Sequence, residues 1–141
     1  MTEATETAEA IRPNRAMMAR DRASAMLGLM VERDDPGHAV VSMRVRDDMT
    51  NGFRITHGGL VFALADTAFA IACNEDDRVT VAAGADISFL KPTVAGQTLT
   101  ATAVRRARTG RSGLYDVTVV DDQGDAVAEF RGRSRTTSRT F

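Results

Sequence analysis

The most apolar stretch of the chain, His57 to Asn74, contains one carboxylate, Asp66. At helical spacing its neighbours are Phe62, Ala63, Phe69 and Ala70, none of which can compensate a charge. An unpaired carboxylate among hydrocarbon costs several kcal/mol or becomes more basic than usual. Two readings of Asp66 are open: a structural acid that caps nearby backbone or pairs with an arginine, and a carboxylate kept reactive for chemistry. The start of the same stretch, His57-Gly58-Gly59, bears on the choice. Two glycines at a helix N-terminus let a ligand or another chain approach free N–H groups closely. Those groups and the helix dipole suit an oxyanion developing on an attacked carbonyl. The plain alternative is that Gly-Gly only relaxes a loop-to-helix junction, and it weakens beside an acid on the same helix. Asp66 then either attacks the carbonyl itself or activates a water molecule.

Spacing adds a constraint. Gly58 and Asp66 lie eight residues apart, roughly 12 Å along one helix at 1.5 Å per residue. Both cannot act on one carbonyl within one copy. Cooperation requires Gly58 of one subunit to meet Asp66 of another, on helices antiparallel across a two-fold axis, giving two equal sites per dimer.

The other chemical candidates are weaker. Ser112 lacks the Gly-x-Ser-x-Gly elbow. His38, near a strand start, reads as an ordinary polar residue, and Cys73 and the N-terminal methionines read as packing. His57 is a candidate through its place beside Gly58, or it fixes the loop.

The elements that must position these residues follow from periodicity. Residues 1–12 are polar and small and read as a disordered N-terminus; residues 13–138 read as a single domain. From Pro13 to about Met30 the positions Met17, Met18, Met26, Leu27 and Met30 fit an amphipathic helix. Asp34-Asp35-Pro36-Gly37 is a turn before a strand from His38 to Val45, and Asp47 to Thr56 is a loop. The stretch from His57 is apolar on every side except at Asp66 and Thr67, so as a helix it is expected to be enclosed by protein all round. Strands follow at Val79–Leu90, Gln97–Arg106, Leu114–Val120 and Ala126–Arg135, the third with Tyr115, Val117 and Val119 on one face. In the first of these, Val81, Ala83, Ala85, Ile87 and Phe89 alternate. One buried helix followed by four strands predicts an α+β domain, an antiparallel sheet curled around that helix.

Composition removes several function classes. The chain has 141 residues and a net charge of −1, without the basic excess of a nucleic-acid binder. One cysteine and two histidines make a thin metal-ligand set, and no metal or cofactor is expected. The Gly58–Cys73 run falls short of the ~20 residues a bilayer span needs, and the N-terminus has no signal-peptide core. A soluble cytoplasmic protein without membrane or nucleic-acid partners is expected.

Asn51-Gly52, His57-Gly58-Gly59, Leu64-Ala65-Asp66 and Ala72-Cys73-Asn74 together resemble the signature of the hotdog-fold acyl-CoA thioesterases, nearest the phenylacetate-pathway branch. The likeness continues through Ile87-Ser88-Phe89-Leu90-Lys91-Pro92, residues 95–101 and Phe130-Arg131-Gly132, covering about residues 24 to 135. It implies a five- or six-stranded antiparallel sheet wrapped around a long central helix, dimers that pair into tetramers, and hydrolysis of an acyl-CoA thioester, the acyl group aryl or arylacetyl. By position it makes Asp66 the catalytic carboxylate and Gly58 the backbone donor to the thioester oxygen, with His57 beside it; on the physical reading Gly59 is a substrate-binding candidate whose N–H lies next to that donor. Asn51 matches a loop residue that orients substrate or water, and Thr67 a hydrogen-bonding neighbour of the acid. Ser88 departs from the acidic or amide residue common there. The arginines around 105–111, and Arg131, Arg133 and Arg135, are candidates for coenzyme A phosphates or for a solvated, ion-paired face. Two other functions use the same helix: non-catalytic acyl-CoA binding, and enoyl-CoA hydration, which calls for an Asp–His pair that neither histidine's spacing supplies.

Overall fold

The computed structural model describes residues 13–141. The expected disordered segment 1–12 lies outside the described residues. Two short helices, α1 (Pro13–Ala19) and α2 (Arg22–Met26), precede strands β1 (Met30–Asp35) and β2 (His38–Arg44). After a 3-10 turn at Asp47–Met49 comes the long helix α3 (Gly58–Cys73), then β3 (Arg78–Phe89), β4 (Thr98–Thr109), β5 (Ser112–Val120) and β6 (Ala126–Thr140). The strands form one six-stranded antiparallel sheet in the order β1-β2-β4-β5-β6-β3.

The sheet's inner face is built by period-two burial. Ala39, Val41 and Met43 on β2, Leu99, Ala101 and Ala103 on β4, and Tyr115, Val117 and Val119 on β5 are buried. α3 lies across them and contributes Val61, Leu64, Ala65, Ala68, Phe69, Ile71 and Ala72 to the same core. At Gly132 on β6 a Cβ atom would stand 2.7 Å from three carbons of the Phe69 ring. The sheet thus needs glycine there to let the helix seat.

Three expectations are corrected. The single N-terminal helix is two helices, broken at Asp21, which caps α2 by accepting from the Ser24 N–H at 2.9 Å. α2 ends in a Schellman turn: Gly28 takes a φ of +66°, its N–H donates to the Ala25 carbonyl, and the Leu29 N–H donates to the Ser24 carbonyl. Met26 and Met30 are consequently exposed, and Met30 begins β1, a strand the sequence reading passed over.

β3 does not keep one alternation. A register shift against β6 between Ala82 and Gly84 exchanges the two faces, so Val81 and Ala83 are exposed while Ala85 and Ile87 face the core.

Within one chain the sheet encloses α3 on one side, where Phe62 meets Phe130 of β6 edge-on at 5.3 Å between centroids. On the other, Gly58, Ala63, Asp66, Thr67 and Ala70 are half-buried and Gly59 is exposed, forming a stripe that the sheet does not close.

Candidate active site

The loop before α3 closes on itself through Asn51. Its side-chain oxygen accepts from the Phe53 N–H at 2.9 Å and the Ile55 N–H at 3.4 Å, and its own N–H donates to the Ile55 carbonyl at 2.8 Å. Arg54, at the tip, is held at a φ of +62°. The Thr56 N–H donates to the Thr93 carbonyl, and the two threonine hydroxyls are 2.6 Å apart, tying the loop to the segment after β3. The Asn51 side-chain N–H groups make no hydrogen bond to a described residue.

The first turn of α3 assigns its orphan donors unequally. His57 is the N-cap; its N–H donates to the Met49 carbonyl, and its Nδ1 accepts from the Gly59 N–H at 2.9 Å. An accepting Nδ1 leaves the neutral imidazole's proton on Nε2. Leu60 and Val61 donate to the His57 carbonyl. The Gly58 N–H is the amide of this turn that has no acceptor among the described residues. The imidazole thus occupies Gly59's amide and leaves Gly58's without an acceptor among the described residues.

Gly58 and Asn51 open on a cavity of about 390 Å³ whose other walls include Ile55, Val61, Phe89, Pro92 and Val127. The Phe89 ring lies against Gly58: a Cβ there would come within 3.2 Å of the ring edge. Lys91, at the cavity's rim, donates to Asp121 at 2.6 Å and Asp125 at 2.7 Å, which fixes the β5–β6 loop against it.

Asp66 does not line this cavity. It sits on the uncovered stripe of α3 two turns on, beside Thr67, whose hydroxyl donates to the Ala63 carbonyl at 2.8 Å. Burial is the larger of two influences that raise Asp66 above the usual carboxylate range; the negative charge of Asp21 is the second. The expectation of an acid surrounded by hydrocarbon is thus half met: Asp66 is made more basic, yet one chain alone leaves it partly open. Asp21 was not singled out from the sequence. The pattern Asp21-x-x-Ser24 before Leu27-Gly28 is a legible cap signal, but its nearness to Asp66 is not.

The remaining candidates fall outside the site. Cys73 is buried at the far end of α3, its thiol pushed up to about 12 chiefly by burial. Most of the arginines are ion-paired: Arg105 and Arg108 with Glu75, Arg106 and Arg131 with Asp116, and Arg133 with Asp86. Glu75 also accepts from the buried Tyr115 hydroxyl, which burial and that bond keep protonated. Arg111 and Arg135 make no ion pair with a described residue. Among the described residues no group of three or more His, Cys, Asp or Glu side chains gathers as a metal site, and no helix is long and apolar enough to cross a membrane.

The Thioesterase superfamily model matches residues 53–128, which span α3 with Asp66, strands β3 to β5 and the start of β6. The acyl-coenzyme A thioesterase PaaI of Escherichia coli K12 is 46% identical over 119 residues, 84% of this chain and 85% of that protein. The chain belongs to the thioesterase superfamily. The solved structure of E. coli PaaI, from the phenylacetic acid degradation operon, superposes with a TM-score of 0.89 at 44% identity, covering 93% of this chain and 95% of that one. A variant of the phenylacetic acid degradation protein PaaI from Thermus thermophilus superposes with a TM-score of 0.80 at 37% identity, over 83% and 100%. The superfamily chain described here has the hotdog fold of these thioesterases, six strands around a central helix.

Proposed function

We propose that this thioesterase-superfamily chain hydrolyses the thioester of an acyl-CoA, with an aryl or arylacetyl acyl group, releasing the free acid and CoA. The observation that carries the reading is the amide inventory of α3's first turn, where His57 takes the Gly59 N–H and leaves the Gly58 N–H as the single unassigned donor at the mouth of an apolar cavity. A thioester carbonyl seated there directs its oxygen at the helix N-terminus, where charge building on that oxygen is favoured. The cavity's apolar walls suit the acyl group, and Asn51 offers free amide hydrogens to orient substrate or water.

Asp66 of a second copy supplies the other half. It takes a proton from water as the hydroxyl oxygen bonds to the thioester carbon, and the C–S bond then breaks with that proton passing to sulfur, releasing the acid and CoA as its thiol. Alternatively its carboxylate attacks the thioester carbon, the C–S bond breaks and CoA leaves as thiolate. Water then cleaves the resulting anhydride to the acid and the Asp66 carboxylate, the proton this releases going to the thiolate. On either route a raised proton affinity makes Asp66 a better base or nucleophile. Thr67 anchors the turn that carries it. The arrangement requires a homodimer, and a pair of dimers is compatible with it. The reaction draws on no metal and no cofactor beyond the CoA of the substrate, consistent with a cytoplasmic enzyme.

Thiol release from a panel of short, long and aromatic acyl-CoA substrates tests the activity, and Asp66→Asn tests the mechanism. The substitution keeps size and removes the basic oxygen, so kcat is expected to fall by about 10²–10⁴ with the oligomer and melting temperature unchanged. A folded Asp66→Asn protein with wild-type kcat removes Asp66 from the chemistry. Tight acyl-CoA binding without any turnover by the wild type replaces the enzyme reading with a binding one.

A further inference from the structure

The segment ahead of the sheet enters the site through α2. Asp21 holds the Ser24 N–H at 2.9 Å and the Ser24 hydroxyl at 2.6 Å, so both of its oxygens are engaged in capping α2. Ser24 is 5% exposed, and its Oγ lies 3.4 Å from the Thr67 Oγ1. The Ser24 hydroxyl hydrogen is committed to Asp21 and the Thr67 hydrogen to the Ala63 carbonyl, so the contact between them is close packing and not a shared proton. α2 is thereby docked at the residue next to Asp66, with its capping carboxylate on that side.

We propose that Asp21 is a positioning residue of the site: by capping α2 and seating Ser24 on Thr67 it holds a second carboxylate on the side of α3 that carries Asp66. The inference rests on the assignment of Asp66 made above. Within one chain the charged groups around Asp66 are few. On α3 the neighbours of Asp66 at helical spacing are uncharged, and Cys73 near its end stays a neutral thiol. The strands under α3 present Val41, Met43, Leu99, Ala101, Val117 and Val119. On the α2 side Arg20 bonds the Ala16 carbonyl and Arg22 is exposed, and neither pairs with Asp21 or Asp66 among the described residues. Within one chain Asp21 is the charged side chain held on this side of α3, and its negative charge acts in the direction that makes Asp66 bind a proton more tightly.

Asp21→Asn separates charge from the backbone cap: its amide oxygen still accepts from the Ser24 N–H, while its NH2 donates to the Ser24 oxygen where the carboxylate accepted from that hydroxyl. In the full-length oligomer, Asp21→Asn is expected to stay folded with a smaller drop in melting temperature than Asp21→Ala, while the acid limb of kcat/KM moves to lower pH with KM unchanged. Asp21→Ala removes both properties and is expected to lower the melting temperature as well. An acid limb that stays in place in a stably folded Asp21→Asn protein overturns the proposal. The same shift is read without turnover from the carboxyl ¹³C titration of Asp66 in labelled protein, wild type against Asp21→Asn. If the wild type releases no thiol, the function proposed above fails while this titration still decides for or against Asp21.

Discussion

The sharpest test of the site concerns His57, which could act by chemistry or by geometry. Its Nδ1 accepts from the Gly59 N–H at 2.9 Å, the bond an N-cap makes to the second residue of a helix. His57→Ala removes that bond and leaves the Gly59 amide to water. Loss of a side-chain cap costs about 1 kcal/mol, which for a chain of this size lowers Tm by roughly 2–6 °C. The first turn then frays, and the direction of the Gly58 N–H frays with it. Removing an oxyanion donor outright costs about 10²–10³ in kcat, so a frayed donor loses less than that. His57→Asn restores an oxygen at the cap and is expected to recover both Tm and kcat. Scanning calorimetry at fixed protein concentration and steady-state thiol release measure the two quantities on the same samples. A His57→Asn protein with wild-type Tm and the low kcat of His57→Ala refutes the geometric role, because the ring would then be acting through Nε2. An unchanged Tm in His57→Ala refutes the cap itself.

Two further predictions concern the frame of the site. Gly132→Ala places a methyl 2.7 Å from a Phe69 ring that is itself wedged between Tyr115 and Phe130, with centroids at 5.6 and 5.8 Å. The ring has nowhere to move, so the substitution is expected to cost about 1–3 kcal/mol in denaturant unfolding, and Phe69→Leu in the same chain to recover part of it. Asp121, buried in the β5–β6 loop, is held below the usual carboxylate range first of all by its bond from Lys91. A depressed carboxylate contributes stability that is present at neutral pH and lost as pH falls through and below the usual range, under about pH 4. Lys91→Met is therefore expected to lower Tm at pH 7 and to change it much less at pH 3; an equal drop at both values rejects the linkage.

Where a segment's fate depends on its own residues, the sequence carried it. α3 and β4 to β6 are legible because their burial follows a local period: Tyr115, Val117 and Val119 face the core as their spacing requires. β1 was hidden for the opposite reason. As an edge strand pairing only with β2 it can be built from Val31-Glu-Arg-Asp-Asp35, which carries charge where a central strand would alternate. The preceding helix was overextended because the methionine spacing runs through Gly28 without a break, whereas the backbone stops there, at a positive φ. The bulge in β3 is equally invisible, since it is set by pairing with β6, some fifty residues away.

The site shows the same division between local and distant causes. Gly58 and Asp66 were identifiable from residue type and spacing and Asn51 from the family resemblance; the fold puts Asn51 in the loop, Gly58 at the helix start and Asp66 on the open helix face. Which amide remains free was not identifiable. It depends on a rotamer of His57, and that rotamer decides between a one-donor and a two-donor clamp. The basicity of Asp66 was only half readable: its apolar neighbours on α3 are in the sequence, but the charge that reinforces them comes from Asp21, forty-five residues earlier and brought near only because α2 docks on Thr67. A helix apolar on every side looks as though its own chain must enclose it. The six strands cover one side, and Ala63 and Ala70 flank Asp66 on the other. A second copy laid on that stripe would remove hydrocarbon from water and desolvate the acid in one event, so assembly and the making of a strong base are the same physical step.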